Sequence, residues 1–177
     1  MRIIGGKYGG RHIDSPKGHR THPMADRVRG GLFNALGDID DLSVLDAFAG
    51  SGALSFEALS RGANQVLAID VDKKAHDTML KNASELGIGK EFKAVRANAS
   101  SWSHNNPEAT FDLLFIAPPY DNLQVKLLDK LSRHAKIGST YVLDWPGNLD
   151  PPSLNGLDLL KQLNYGDAQL AFYRKTE

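Results

Sequence analysis

The sequence predicts an α/β fold: a mainly parallel sheet with helices on both faces, preceded by a short β-hairpin. Three observations predict it. From residue 43 onward, short apolar runs alternate with amphipathic stretches of helical period. A glycine turn joins the first of those runs to a helix, as in open parallel sheets. The 177 residues are 41% hydrophobic and 24% charged, which suits one domain with a sizeable core and argues against two.

The elements follow in order. Residues 2–13 read as a hairpin, with Arg2-Ile3-Ile4 and Gly10-Arg11-His12-Ile13 around a Gly-rich turn. A polar segment with Pro16, Gly18 and Pro23 leads to a helix expected from Asp26 to Leu36. Gly30 and Gly31 weaken that helix by about 1 kcal/mol each relative to Ala. Ser43 to Phe48 is nearly all apolar, as a strand buried on both faces requires. A helix is expected from Ala53 to Arg61, with Ser51 as cap and Gly62 past its end.

Gln65 to Val71 is a second strand. In Lys73 to Leu86, Ala75, Met79, Ala83 and Leu86 share one face and Lys73, Asp77, Lys81 and Glu85 lie elsewhere. Glu91 to Ala97 and Asp112 to Ala117 are the third and fourth strands. Leu123, Leu127, Leu128, Leu131 and Ala135 outline another helix, and Thr140 to Trp145 a fifth strand. Leu157 to Leu163 with Gln169 to Arg174 form a closing pair.

Composition excludes several classes. No apolar run approaches the roughly 18–20 residues that span a bilayer, and Gly5 and Gly6 interrupt the N-terminus where a signal peptide would be apolar. The absence of cysteine removes disulfides, Cys-ligated zinc, iron–sulfur clusters and thiol nucleophiles. The six histidines lack ligand spacing, so no metal is expected. A soluble cytoplasmic protein is the expectation, and a monomer.

The net charge is zero, with 21 basic and 21 acidic residues, but the distribution is uneven. Residues 1–31 carry seven basic and two acidic side chains, a net +5, and residues 32–177 carry 14 and 19, a net −5. Lys and Arg clustered at one end suit phosphate contacts. Arg11, Arg27 and Arg29 are the candidates, while Lys7, Lys17 and Arg20 read equally well as solvated loop charges.

Two turns carry the chemistry. In Asp46-Ala47-Phe48-Ala49-Gly50-Ser51-Gly52, the glycines allow close backbone approach and the following helix offers free N–H donors. Ser55 stands where a dinucleotide fingerprint needs its third glycine, and no Gly-Lys-Ser/Thr follows, which excludes a P-loop. An acid before the glycines, Asp46, suits the ammonium of S-adenosylmethionine better than a pyrophosphate. Asp70 closes the second strand twenty residues after Gly50, where an acid accepts from ribose hydroxyls. Asn98 ends the third strand, as an adenine contact or a plain loop residue. The second turn, Ala117-Pro118-Pro119-Tyr120, lies at the same sheet edge. Its prolines leave carbonyls unpaired, and Tyr120 offers a face for a base to stack on.

Together these stretches resemble the bacterial 16S rRNA guanine-N2 methyltransferase family, the RsmD-like group. The resemblance takes in Asp46-x-Phe48-Ala49-Gly50-Ser51-Gly52-Ala53-Leu54, Glu57 to Ala63, and Pro118-Pro119-Tyr120. It extends to Met1 to Lys7, Asp26-Arg27-Val28-Arg29 with Leu32-Phe33-Asn34, Tyr165-Gly166-Asp167, and Phe172-Tyr173-Arg174. It implies a Rossmann-like class I methyltransferase fold with seven strands. Residues 1–31 would be a hairpin extension for RNA docking and residues 32–177 the methyltransferase domain. The implied donor is S-adenosylmethionine, held by Asp46, Phe48, Ala49, Gly50, Ser51, Gly52, Asp70 and Asn98. The implied acceptor is a guanine amino group in 16S rRNA, free or in the assembling 30S subunit.

A guanine N2 amine is a poor nucleophile, because its lone pair is delocalised into the ring. The family turn, Asp/Asn-Pro-Pro-Tyr/Phe, surrounds that amine with acceptors while its aromatic stacks on the extruded base. This chain has Ala117 at the acidic or amide position, leaving main-chain carbonyls there beside Pro118, Pro119 and Tyr120. Losing one transition-state hydrogen bond costs about 10²–10³ in rate. Asp121, four residues on, reads either as a substitute or as a solvated loop acid. Other departures are His22-Pro23-Met24-Ala25 for Arg-Pro-Thr-Thr, Gly30 for Glu, and Asn98 for Asp. Two other readings stand beside guanine-N2 methylation: a catalytically impaired donor- and RNA-binding protein, and an adenine-N6 methyltransferase.

Overall fold

The computed structural model describes residues 1–18 and 24–177. His19, Arg20, His22 and Pro23 lie outside the described residues. The strands are β1 (Ser43–Asp46), β2 (Gln65–Asp70), β3 (Phe92–Arg96), β4 (Phe111–Ile116), β5 (Ala135–Pro146), β6 (Leu157–Asn164) and β7 (Ala168–Lys175). They form one seven-stranded sheet in the order β3-β2-β1-β4-β5-β7-β6. β1 to β5 pair in parallel, and β7 lies antiparallel between β5 and β6. The chain winds outward from β1 to β3 and then returns to place β4 on the other side of β1. The winding therefore reverses between β1 and β4, the crevice where open α/β sheets bind ligands.

The helices are α1 (Asp26–Leu36), α2 (Ala53–Ser60), α3 (Lys73–Leu86), α4 (Ala99–Asn105) and α5 (Val125–Leu131). Two apolar cores result, one on each face of the sheet. Leu32, Phe33, Phe56 and Met79 from α1, α2 and α3 pack against one face. Trp102, Leu127, Leu128 and Leu131 from α4 and α5 pack against the other. Each such side chain contributes about 1.5–3 kcal/mol by leaving water. No helix among the described residues is long and apolar enough to cross a membrane.

α1 and α3 have the bounds that their sequence periodicity predicts. In α3, Asp72 caps the first turn by accepting from Lys74 N at 2.6 Å, and Gly87 ends the helix at φ +72°. α2 differs from an ordinary surface helix, since all eight of its residues are buried. The sheet covers one side of it and residues 1–13 cover the other. Its Ser51 cap is not made: Gly52 begins the helix in the left-handed conformation, without a side-chain bond.

The N-terminal hairpin is minimal, a single antiparallel bridge between Arg2 and His12. Ile3 N donates to Arg11 O at 2.9 Å and Ile13 N to Met1 O at 2.9 Å. Ile3, Tyr8 and Ile13 belong to the same core cluster as Leu32 and Phe56. The division expected at residue 31 falls inside α1, and the residues before it share the core of those after it.

α4 is absent from the sequence reading, because Ala-Ser-Ser-Trp-Ser-His-Asn has no helical apolar period. Its fold comes from the Asn98 cap and from Trp102, which packs on Phe111 and His134. The helix expected to run to Ala135 instead tightens to a 3-10 turn at Ser132–His134, and β5 starts at Ala135. There, buried His134 bonds Ala109 O and Ser103 Oγ, each at 2.7 Å. Burial is the main cause of its lowered pKa.

Candidate functional site

β1 ends at Asp46, flanked by Ala68 of β2 and Phe115 of β4 in the ladder. This places the first acid of the glycine turn at the middle of the sheet's carboxyl edge. Asp46 is 1% exposed. Its Oδ2 accepts from Ser55 Oγ at 2.7 Å, and its Oδ1 has no hydrogen-bond partner. Burial raises its pKa to about 7, against the Ser55 bond, and the charge on Asp70 raises it further. The result is a half-satisfied carboxylate under the turn, an arrangement that a cationic group relieves.

The turn above it is held on both sides. Ala47 N donates to Phe115 O at 3.1 Å, and Ala49 N to Ile69 O at 2.9 Å. Gly52 sits at φ +81°, and a Cβ there would stand 2.6 Å from the Phe56 ring, so the turn needs glycine at that position. Gly50, at φ +55°, faces open space, which leaves its backbone accessible to a ligand.

Asp70 lies at the end of β2, beside the turn. Its Oδ2 accepts from Gly50 N at 2.8 Å and its Oδ1 from Asp72 N at 2.9 Å. It is thus the strut of the glycine turn as well as the acid expected at a ribose. Ser51 is buried; its hydroxyl contacts Met1 Sδ at 3.8 Å, and its carbonyl accepts from Asn82 Nδ2 at 3.2 Å. These contacts tie Ser51 into the turn. Asn98 caps α4, its Oδ1 accepting from Ser100 N at 2.8 Å. Phe48 and Ala49 are half-buried in the same turn.

β4 brings the second turn to the neighbouring position. Pro118 is buried, Ala117 and Pro119 are half-buried, and Tyr120 is 42% exposed. The Pro119 carbonyl accepts from Asn122 N at 3.0 Å, whereas the Pro118 carbonyl takes no such bond among the described residues. The Tyr120 hydroxyl reaches back to β5. Its oxygen is 2.5 Å from Asp144 Oδ1, to which it donates, and 3.1 Å from Trp145 O. Burial pushes the Asp144 carboxyl up to about 6, against the Tyr120 bond. Sequence reading passed over Asp144, a lone acid inside a strand whose significance depends on the register that sets it beside Ala117.

The three candidate phosphate arginines separate. Arg11 is exposed and donates from Nη2 to Glu85 O at 2.6 Å. Arg27 is exposed, its guanidinium 5.8 Å from the centre of the Tyr165 ring. Arg29, by contrast, is 1% exposed and cannot meet a phosphate. It donates to Met24 O at 3.1 Å, Arg2 O at 2.6 Å and Asp26 Oδ1 at 2.9 Å. Its Nε lies 3.6 Å from Glu57 Oε2. Sequence position near other basic residues could not reveal this, because two of the partners, Arg2 O and Glu57, come from the hairpin and α2.

Glu57 is the centre of that arrangement. Fully buried, it accepts from Ile4 N at 2.8 Å, Gly5 N at 3.0 Å and Arg61 Nε at 2.9 Å. Ser60 adds a second clamp: its hydroxyl donates to Gly5 O at 2.5 Å and accepts from Tyr8 N at 2.8 Å. The hairpin is thus fastened to α2, the helix that leads out of the glycine turn.

Comparison with known proteins gives this arrangement a context. A family model described as conserved hypothetical protein 95 matches residues 1–174. A Bacillus subtilis protein named as a candidate rRNA methyltransferase, YlbH, is 32% identical over 99% of both chains. The ribosomal RNA small subunit methyltransferase D of Escherichia coli is 39% identical over 68% of this chain, a match spanning 60% of that protein. Among solved structures, a candidate methyltransferase of Escherichia coli, yhhF, superposes with a TM-score of 0.87. It is 29% identical, over 99% of this chain and 98% of that one.

Proposed function

This chain belongs to the family described as conserved hypothetical protein 95, and on that premise we propose that it is an S-adenosylmethionine-dependent methyltransferase of small-subunit rRNA. We further propose that its acceptor is the N2 amino group of a guanine. The observation that carries the reading is the buried, unpartnered Oδ1 of Asp46 beneath the glycine turn, one strand from the Pro118-Pro119-Tyr120 turn.

The residues present fit the donor. Asp46 Oδ1 lacks a hydrogen-bond partner, and a bound ammonium would supply one. Gly50 offers open backbone, and Asp70 fixes that backbone while keeping lone pairs for a ribose. S-adenosylmethionine supplies a methyl group on a positively charged sulfur, reactive toward a weak nitrogen nucleophile. The chain's own work is to hold, orient and desolvate the amine. The Pro118 carbonyl accepts from one N–H, and the exposed face of Tyr120 stacks against the base, worth about 1–3 kcal/mol. Fixing the nitrogen in line with the methyl lowers the barrier through orientation. Arg11 and Arg27 grip the RNA backbone, which sets register rather than sequence choice.

Calorimetry tests the donor half of the reading. The wild-type protein is expected to bind S-adenosylmethionine and Asp46→Ala to lose that binding; a wild type that binds none rejects it.

A further inference from the structure

We propose that Asp144 takes the place of the acid that residue 117 lacks, accepting a hydrogen bond and then a proton from the target amine. The assignment rests on the methyltransferase reading above and adds a catalytic residue to it.

The register of two neighbouring strands brings the two residues together. β4 and β5 run parallel, with Ile116 opposite Leu143. One residue further along each strand, Ala117 comes beside Asp144, a strand spacing of about 4.8 Å away. Alternation along the strands sends both side chains to the same face. Phe115 and Val142 belong to the core beneath α1 and α2, while Ile116 and Leu143 belong to the core on the other face. Ala117 and Asp144 accordingly lie on one face of the sheet, close to Met24, Leu32 and Leu54. The methyl side chain of Ala117 offers no polar atom there, so Asp144 is the acid on that face nearest residue 117.

Asp144 is also preset for this work. The Tyr120 hydroxyl holds Oδ1 at 2.5 Å, which fixes the carboxylate beside the aromatic ring proposed to stack on the base. Oδ2 takes no hydrogen bond among the described residues, and no cation pairs with the group there. One oxygen is therefore anchored and the other available. Tyr120 links the two functions, so the base and its acceptor are positioned by one side chain. As the nitrogen lone pair forms the new N–C bond, the electron pair of the breaking C–S bond stays on sulfur. The methylated nitrogen then sheds one proton to Asp144 Oδ2, which returns it to water.

The test is methyl transfer to unmodified small-subunit rRNA, with donor affinity measured in parallel. Asp144→Ala is expected to lower kcat by about 10²–10³, with donor Kd unchanged. Asp144→Asn, which keeps an acceptor oxygen, retains more activity than Asp144→Ala. Adding Ala117→Asp to Asp144→Ala restores at least about tenfold, whereas in the wild-type background Ala117→Asp gains less than about threefold. Tyr120→Phe, which frees the carboxylate without removing it, falls less far than Asp144→Ala.

Asp144→Ala with wild-type kcat would overturn the assignment alone. So would Tyr120→Phe falling as far as Asp144→Ala, since Asp144 would then only anchor the tyrosine. If Asp144→Ala does not fold, a gain of about 100-fold from Ala117→Asp in the wild type overturns it, and a small gain supports it. A wild type that binds donor yet methylates no RNA overturns the methyl-transfer reading, and the assignment with it.

Discussion

Ser55 donates to one oxygen of Asp46 at 2.7 Å and leaves the other without a partner in a fully buried place. This pair sets two opposed demands on one residue. For stability, the carboxyl is better neutral; for donor binding, it must be charged.

The first prediction concerns pH. The Asp46 pKa is about 7 in the folded chain and about 3.9 when unfolded. The folded state therefore holds the proton more tightly, and stability declines as pH rises between those values. Asp46→Asn removes that decline and is expected to stabilise the ligand-free protein at pH 8, by up to about 4 kcal/mol. The same variant binds S-adenosylmethionine poorly, and wild-type affinity strengthens as pH rises through about 7. Urea denaturation and calorimetry across pH check both signs. A destabilised Asp46→Asn at pH 8 would contradict the account.

Glu57 provides the second prediction. Removing its carboxylate leaves Arg29 buried beside unpaired Ile4 and Gly5 amides. Breaking a buried ion pair from one side costs about 3–5 kcal/mol, so Glu57→Ala should lose that much in urea denaturation. Amide exchange at Ile4 and Gly5 should rise together as the hairpin loosens from α2. Protection that survives in Glu57→Ala would show that Ser60 alone holds it.

Arg27 and Arg29, two residues apart, should behave oppositely. Arg27→Ala is expected to weaken RNA binding and reduce the salt slope by about 1, with donor affinity intact. Arg29→Ala is expected to lower thermal stability, since its guanidinium supports Met24 and Arg2 carbonyls inside the fold. RNA titrations over a salt series, together with melting curves, separate the two. Unchanged RNA affinity for Arg27→Ala would remove it from the interface.

What was legible in the sequence was whatever local spacing encodes. The period of α3, the mostly apolar run through β1, and the glycine turn with Asp46 and Asp70 are each set by short-range spacing along the chain. What was not legible depends on partners distant in sequence. Asn98, Trp102 and His134 make α4 without any apolar period, and Glu57 turns Arg29 from a surface charge into a buried strut. Asp144 gains its meaning from the β4–β5 register, 27 residues of chain away from the alanine it accompanies. The zero net charge likewise divides differently in three dimensions, because Arg29 is withdrawn from the basic cluster that the first 31 residues supply.

The most direct measurement is the identity of the methylated nucleoside. Unmodified small-subunit rRNA is incubated with the protein and labelled S-adenosylmethionine, then digested, and the labelled nucleoside is separated by chromatography. N2-methylguanosine at one site is the expected product, lost in Asp46→Ala. Label in N6-methyladenosine, or no label from a wild type that binds the donor, would contradict it.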